Sequence, residues 1–114
     1  MSEDNPSAPT AGPVVTIRYC VDCKWLLRAQ WYAGELLQTF ADDLAGVLIV
    51  PAHGAMFRIE VGGGSDGTTT VWNRKTDGGF PEIADLKRRV RDLVAPDKAL
   101  GHVDRSSTGS SGRH

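Results

Sequence analysis

The sequence predicts an α/β domain, an α+β sandwich in which helices pack on a four-stranded mixed sheet. Three observations carry this. A β-branched run, Val14 to Tyr19, leads through Cys20-Val21-Asp22-Cys23 into a stretch with apolar residues at steps of three and four. A glycine-rich cluster, Gly62 to Gly67, separates two further strand-like runs. A second apolar stripe of helical period then ends at Pro96.

The first strand covers Val14-Val15-Thr16-Ile17-Arg18-Tyr19, where β-branched side chains suit a pleated surface. The first helix follows the cysteines: Leu26, Ala29, Ala33, Leu36 or Leu37, Phe40 and Leu44 form its apolar face, with Arg28, Glu35, Gln38 and Asp42 between them. Gly34 interrupts this helix at a cost of about 1 kcal/mol relative to alanine, and Gly46 marks its exit. Val47-Leu48-Ile49-Val50 is continuously apolar, as expected of a strand buried on both faces, and Pro51-Ala52-His53-Gly54 breaks it. Met56 to Val61 alternates, with Phe57, Ile59 and Val61 on one face; after the glycine turn, Thr68 to Lys75 completes an antiparallel hairpin. Pro81 suits the first position of the last helix, with Glu82 and Asp85 in its first turn. Ile83, Leu86, Val90 and Leu93 or Val94 make its apolar stripe. The order β-α-β-β-β-α is the thioredoxin-like layout.

Of the 114 residues, 14–96 are expected to fold as this one domain. Residues 1–13 and most of 97–114 are poor in large apolar side chains and are expected to be disordered. With 24% charged residues and a formal net charge of −1, the balance invites neither nucleic acid nor an anionic membrane. No stretch approaches the roughly 20 apolar residues of a membrane span. The N-terminus lacks a basic start and an apolar core, so a cytoplasmic protein is expected.

In a reducing compartment two cysteines are not expected to serve as a permanent staple. Cys20 and Cys23 are therefore the candidate catalytic pair. A free thiol, with a pKa of about 8.5, holds little thiolate at neutral pH, and a helix N-terminus favours the anion. Two intervening residues let one sulfur reach the other, so the strand-to-helix junction meets the electrostatic and the geometric need together. Lys24 and Arg28 add positive charge nearby, and Asp22 opposes it. The chemistry expected is thiol–disulfide exchange through a mixed disulfide, with protein or small-molecule thiols and disulfides as partners. The alternative uses of the pair are half of a zinc site, with ligands drawn from His53, His102 or His114, and two inert thiols. No second pair has ligand spacing, so no metal is assigned. No nicotinamide or flavin site is visible either, and an external thiol reductant is expected in place of a bound cofactor.

Trp25, His53, Gly54 and Phe80 are candidate partner-binding residues. Trp25 adjoins the cysteines and shields the disulfide or packs. His53 transfers a proton to a leaving thiolate if its loop reaches the motif. Phe80 projects beside the motif or staples the last helix. Trp31 and Tyr32 are expected in the packing, and Lys87, Arg88, Arg89 and Arg91 on a solvated helix face.

Tyr19-Cys20-Val21-Asp22-Cys23 with Trp25-Leu26-Leu27-Arg28, Met56-Phe57-Arg58-Ile59, and Trp72-Asn73-Arg74-Lys75-Thr76-Asp77-Gly78-Gly79-Phe80-Pro81-Glu82 running on to Asp92 occur in this order. In these segments the chain resembles the selenoprotein W, T and H group, the Rdx family, in its bacterial cysteine-containing form. The resemblance spans about residues 14 to 96. It implies a thioredoxin-like fold, a redox role in cell homeostasis linked to glutathione or thioredoxin, and protein partners bound at the motif face. Animal relatives carry selenocysteine at the second motif position, which falls on Cys23. That position favours Cys23 as the attacking group, whereas the helix terminus favours Cys20, and the order stays open. Gly54 and Ala55 stand where thioredoxin approaches its third strand with a cis-proline. The rival to an oxidoreductase is a redox-sensitive adaptor that binds a partner and turns nothing over.

Overall fold

The structure, a computed structural model, describes residues 12–64 and 67–101. Strand β1 (Val14–Cys20) is followed by helix α1 (Leu26–Thr39), β2 (Gly46–Ala52), β3 (Phe57–Gly64), β4 (Gly67–Asn73), a short helix α2 (Arg74–Asp77) and α3 (Ile83–Val94). The sheet runs β2-β1-β3-β4; β1 is parallel to β2 and antiparallel to β3, and β4 is antiparallel to β3. This is the expected thioredoxin-like arrangement, a mixed open sheet with helices packed on it.

Alternation puts Val15 and Ile17 of β1 beside Phe57, Ile59 and Val61 of β3 on the face that α1 and α3 cover. Ala29, Tyr32, Ala33 and Leu36 of α1 and Leu86 and Val90 of α3 complete this core. Burying residues of this kind stabilises by about 1.5–3 kcal/mol for each large side chain. The core also takes in Leu100, beyond the last helix, which is 2% exposed. On the opposite face Glu60 sits between two arginines, 3.2 Å from Arg18 Nε and 2.8 Å from Arg58 Nε.

Several local expectations change in three dimensions. Strand β2 is an edge strand, not one buried on both faces: Leu48 is 55% exposed, and Pro51 is tolerated because an edge need not donate on its outer side. Helix α1 runs through Gly34 and ends at Thr39, well before Gly46. Asp42 and Asp43 follow, and carboxylates at a helix C-terminus oppose its dipole. Phe40 and Leu44 still reach the core from the turn beyond. In β4, consecutive Val71 and Trp72 are both buried, because a bulge between Ile59 and Glu60 breaks the alternation. The strand stops at Asn73, and Lys75 belongs to α2.

Helix α3 starts at Ile83, so Pro81 lies before it and does not take its first position. The basic run is only partly solvated. Lys87 is buried with its Nζ 3.0 Å from Glu35 Oε1, and Arg89 donates to the Val71 carbonyl at 2.9 Å. Both face neighbouring elements because α3 packs against α1 and β4 at once. Tyr32 is buried, but Trp31 is half-exposed and only edges against it, with ring centroids 5.1 Å apart.

Candidate functional site

Strand β1 delivers Cys20 at the centre of the sheet, and the chain then turns before α1 begins. The Lys24 amide donates to the Val21 carbonyl at 3.0 Å and the Val21 amide to Ala52 at 3.0 Å, which ties the turn to the end of β2. Lys24 adopts a left-handed φ of 63°, a conformation that costs a side-chain-bearing residue about 1 kcal/mol or more. Trp25 holds the N-cap position of α1. Cys23 therefore sits in the loop just ahead of the helix, and the unpaired amides of the first helical turn lie beyond it.

Cys20 and Cys23 are joined as a disulfide, with Cα atoms 5.3 Å apart, inside the range the bond accepts. The two are not equivalent. Cys20 is 1% exposed and Cys23 is partly open to solvent. Of the pair, Cys23 is therefore the residue that solvent reaches.

The β2–β3 loop reaches the motif. His53 Nδ1 lies 3.0 Å from Asp22 Oδ2, and both side chains are about three-quarters exposed. Gly54 and Ala55 follow with φ of 71° and 61°; two successive left-handed residues make the reversal that returns the chain into β3. Gly54 shares the His53 loop and is exposed.

Trp25 and Phe80 form one aromatic cluster with the buried Phe57. The Trp25 and Phe80 rings meet edge to face at 4.9 Å, and the Phe57–Phe80 and Trp25–Phe57 centroids are 5.0 and 6.4 Å apart. Phe80 thus faces α1 beside the motif. It is held there by its flanks. Gly78 and Gly79 take φ of 82° and 106°, the Trp72 indole N–H donates to the Gly79 carbonyl at 2.8 Å, and the Tyr32 hydroxyl donates to the Pro81 carbonyl at 2.6 Å. Both carbonyls flanking Phe80 are therefore pinned by ring donors from the core. Burial pushes the Tyr32 phenol above its ordinary pKa of 10.0, and the Arg28 guanidinium beside it pulls the other way.

Two arginines cover this cluster. Arg28 lies 4.0 Å over the Phe80 ring, and Arg74 lies 4.9 Å over Trp25 and 5.8 Å from the Phe80 centroid. Sequence reasoning placed Arg28 near the cysteines by helical proximity. It missed Arg74, 51 positions beyond Cys23, whose placement depends on α2. The only sequence signal for that helix was Asn73 with Asp77: the Asn73 side chain accepts from the Lys75 amide at 3.1 Å, and Asp77 accepts from the Asn73 amide at 2.8 Å. Of the histidines considered as ligands, His102 and His114 lie outside the described residues, as do residues 1–11 of the expected N-terminal segment and most of the C-terminal extension. A surface hollow of ≈ 460 Å³ lined by Glu35, Gln38, Lys87, Lys98 and Leu100 opens at the other end of α1, away from the disulfide. Among the described residues no helix is long and apolar enough to cross a membrane.

The model of the Rdx family matches residues 14–92. A protein from Bordetella parapertussis of known crystal structure is 49% identical, with 73% of this chain and 99% of that one covered and a TM-score of 0.66. A selenoprotein W-related protein from Vibrio cholerae is 41% identical, with 72% of this chain and 96% of that one covered and a TM-score of 0.65. None of the curated proteins matches the chain.

Proposed function

The chain belongs to the Rdx family, and from that premise we propose that it is a thiol–disulfide redox protein working through Cys20 and Cys23. The observation that carries this reading is the unequal exposure of two cysteines linked across a turn at the end of the central strand β1. In the reduced protein the Cys23 thiolate attacks a partner disulfide. A Cys23–partner bond forms, the partner's S–S bond breaks, and one partner thiolate leaves. The Cys20 thiolate then attacks the Cys23 sulfur, closing the internal disulfide and releasing the second partner thiol. Two electrons pass from this protein to the partner. Glutathione or thioredoxin, in a cytoplasmic setting, restores the dithiol. The exposed His53 protonates a leaving thiolate, and Trp25 and Phe80 contact the partner.

The test is equilibration of the purified protein in glutathione buffers with counting of free thiols, alongside Cys20→Ser and Cys23→Ser. A reversible two-thiol transition between roughly −220 and −320 mV is expected, with a mixed disulfide trapped by Cys20→Ser and not by Cys23→Ser. Thiols that stay reduced in every buffer refute the proposal. An adaptor that turns nothing over shows the same transition but stays at background in a multiple-turnover reductase assay.

A further inference from the structure

We infer that Arg28 and Arg74 form a carboxylate-binding clamp beside the disulfide, which selects polypeptide partners whose reacting cysteine is flanked by acidic residues. The inference rests on the exchange reading above and adds its substrate class. Both guanidiniums lie against the same aromatic pair, 4.0 and 5.8 Å from the Phe80 centroid, with Arg74 also 4.9 Å over Trp25. Trp25 follows Cys23 by two positions, so the pair borders the accessible cysteine.

An arginine held over an aromatic ring keeps N–H groups with which to grip a carboxylate by two hydrogen bonds; Arg28 gives one of its donors to the Tyr32 hydroxyl and retains the others. Among the described residues neither arginine has a carboxylate within ion-pair distance, whereas Arg18, Arg58, Arg88, Arg89 and Arg91 all do. The one side chain that Arg28 hydrogen-bonds is the neutral Tyr32 phenol, which leaves its charge without a counter-ion among the described residues. The acids closest in sequence are Asp22, engaged by His53; Asp77, which accepts from the Asn73 amide; and exposed Glu82. Lys24 and Lys75, both exposed, extend the positive field. A polypeptide fits better than a small ion because the motif is skirted by exposed apolar side chains, Val21, Leu26 and Leu27.

The test uses reduced full-length protein and short peptides with one cysteine blocked as a 2-pyridyl disulfide, flanked by Glu, Gln or Lys. Attack by Cys23 forms a bond to the peptide sulfur, breaks its S–S bond and expels 2-thiopyridone, whose absorbance gives the rate. Each rate is divided by that of a neutral reference thiol, which removes the intrinsic reactivity of the peptide. The glutamate peptide is expected to react about fivefold faster than the glutamine peptide at low salt, and the lysine peptide slowest. The glutamate-to-glutamine ratio should fall toward one in the Arg28→Gln, Arg74→Gln double variant. It should also fall toward one in wild type at about 0.5 M salt, a measurement that does not depend on the variant folding. Equal normalised rates in wild type, or a ratio that the folded double variant does not lower, whether or not salt lowers it, overturn the clamp and leave the exchange reading standing. Failure of every peptide to react overturns both.

Discussion

Replacing Tyr32 with phenylalanine removes a single hydroxyl from the tie between α1 and the segment that carries Phe80. That hydroxyl donates to the Pro81 carbonyl at 2.6 Å, and Tyr32 is 3% exposed. The substitution keeps the ring and its packing against Phe57, with centroids 5.6 Å apart, and leaves a buried carbonyl without this donor. Stranding such a group costs about 1–3 kcal/mol. In a domain of this size each kcal/mol lowers Tm by about 4–8 °C. The pH dependence gives an independent check. Burial raises the Tyr32 phenol above 10.0, so above that pH the unfolded chain sheds a proton that the folded protein keeps. The stabilisation is complete below pH 10 and declines as pH rises toward the folded value. At pH 11 the decline is at most about 1.4 kcal/mol, reached only if the folded phenol stays protonated. The Tyr32→Phe variant has no such proton to lose, so the gap between the two proteins should narrow from pH 9 to pH 11, with all other titrations cancelling. Urea denaturation of both oxidised proteins across that range measures it. A difference below about 0.5 kcal/mol at pH 7, or a gap that does not change with pH, refutes the reasoning.

Limited alkylation of the reduced protein with iodoacetamide should label Cys23 well before Cys20, since Cys20 is 1% exposed; peptide mapping by mass spectrometry reads the order, and equal labelling contradicts it. Glu35→Gln leaves the Lys87 ammonium, 6% exposed, beside a neutral amide, whereas Lys87→Met removes the charge and keeps the length. The first should cost more stability than the second, by about 1 kcal/mol or more in chemical denaturation, and the reverse order counts against a buried pair. His53→Ala breaks an exposed contact with Asp22, so stability should change by less than about 1 kcal/mol while thiol–disulfide exchange slows; an unchanged exchange rate excludes the proton-transfer role.

The motif and its setting were legible because they are local. Cys20 and Cys23 stand between a β-branched strand and a helix of regular apolar period, and no distant contact is needed to put them there. The alternation of Phe57, Ile59 and Val61 and the stripe of Ile83, Leu86 and Val90 were equally readable, since burial on one face imposes its period on neighbouring residues. The same local reading put His53 in a loop with the potential to reach the cysteines, and the structure places it 3.0 Å from Asp22.

Other features were decided only when elements far apart in sequence met. An apolar run such as Val47 to Val50 looks alike at the edge or the middle of a sheet; β2 is an edge because β3 takes the other side of β1. The bulge at Val71 is a property of a strand pair, and the burial of Lys87 depends on Glu35 from another helix. The face that Phe80 presents is fixed by two ring donors, Trp72 and Tyr32, that grip the carbonyls on either side of it. By itself the sequence determined the order of the elements and the position of the cysteine pair, because period and turn chemistry act over a few residues. The exposure of each cysteine, and the aromatic and cationic surface around them, came from tertiary structure, because burial and pairing are set by whichever parts of the chain fold against one another.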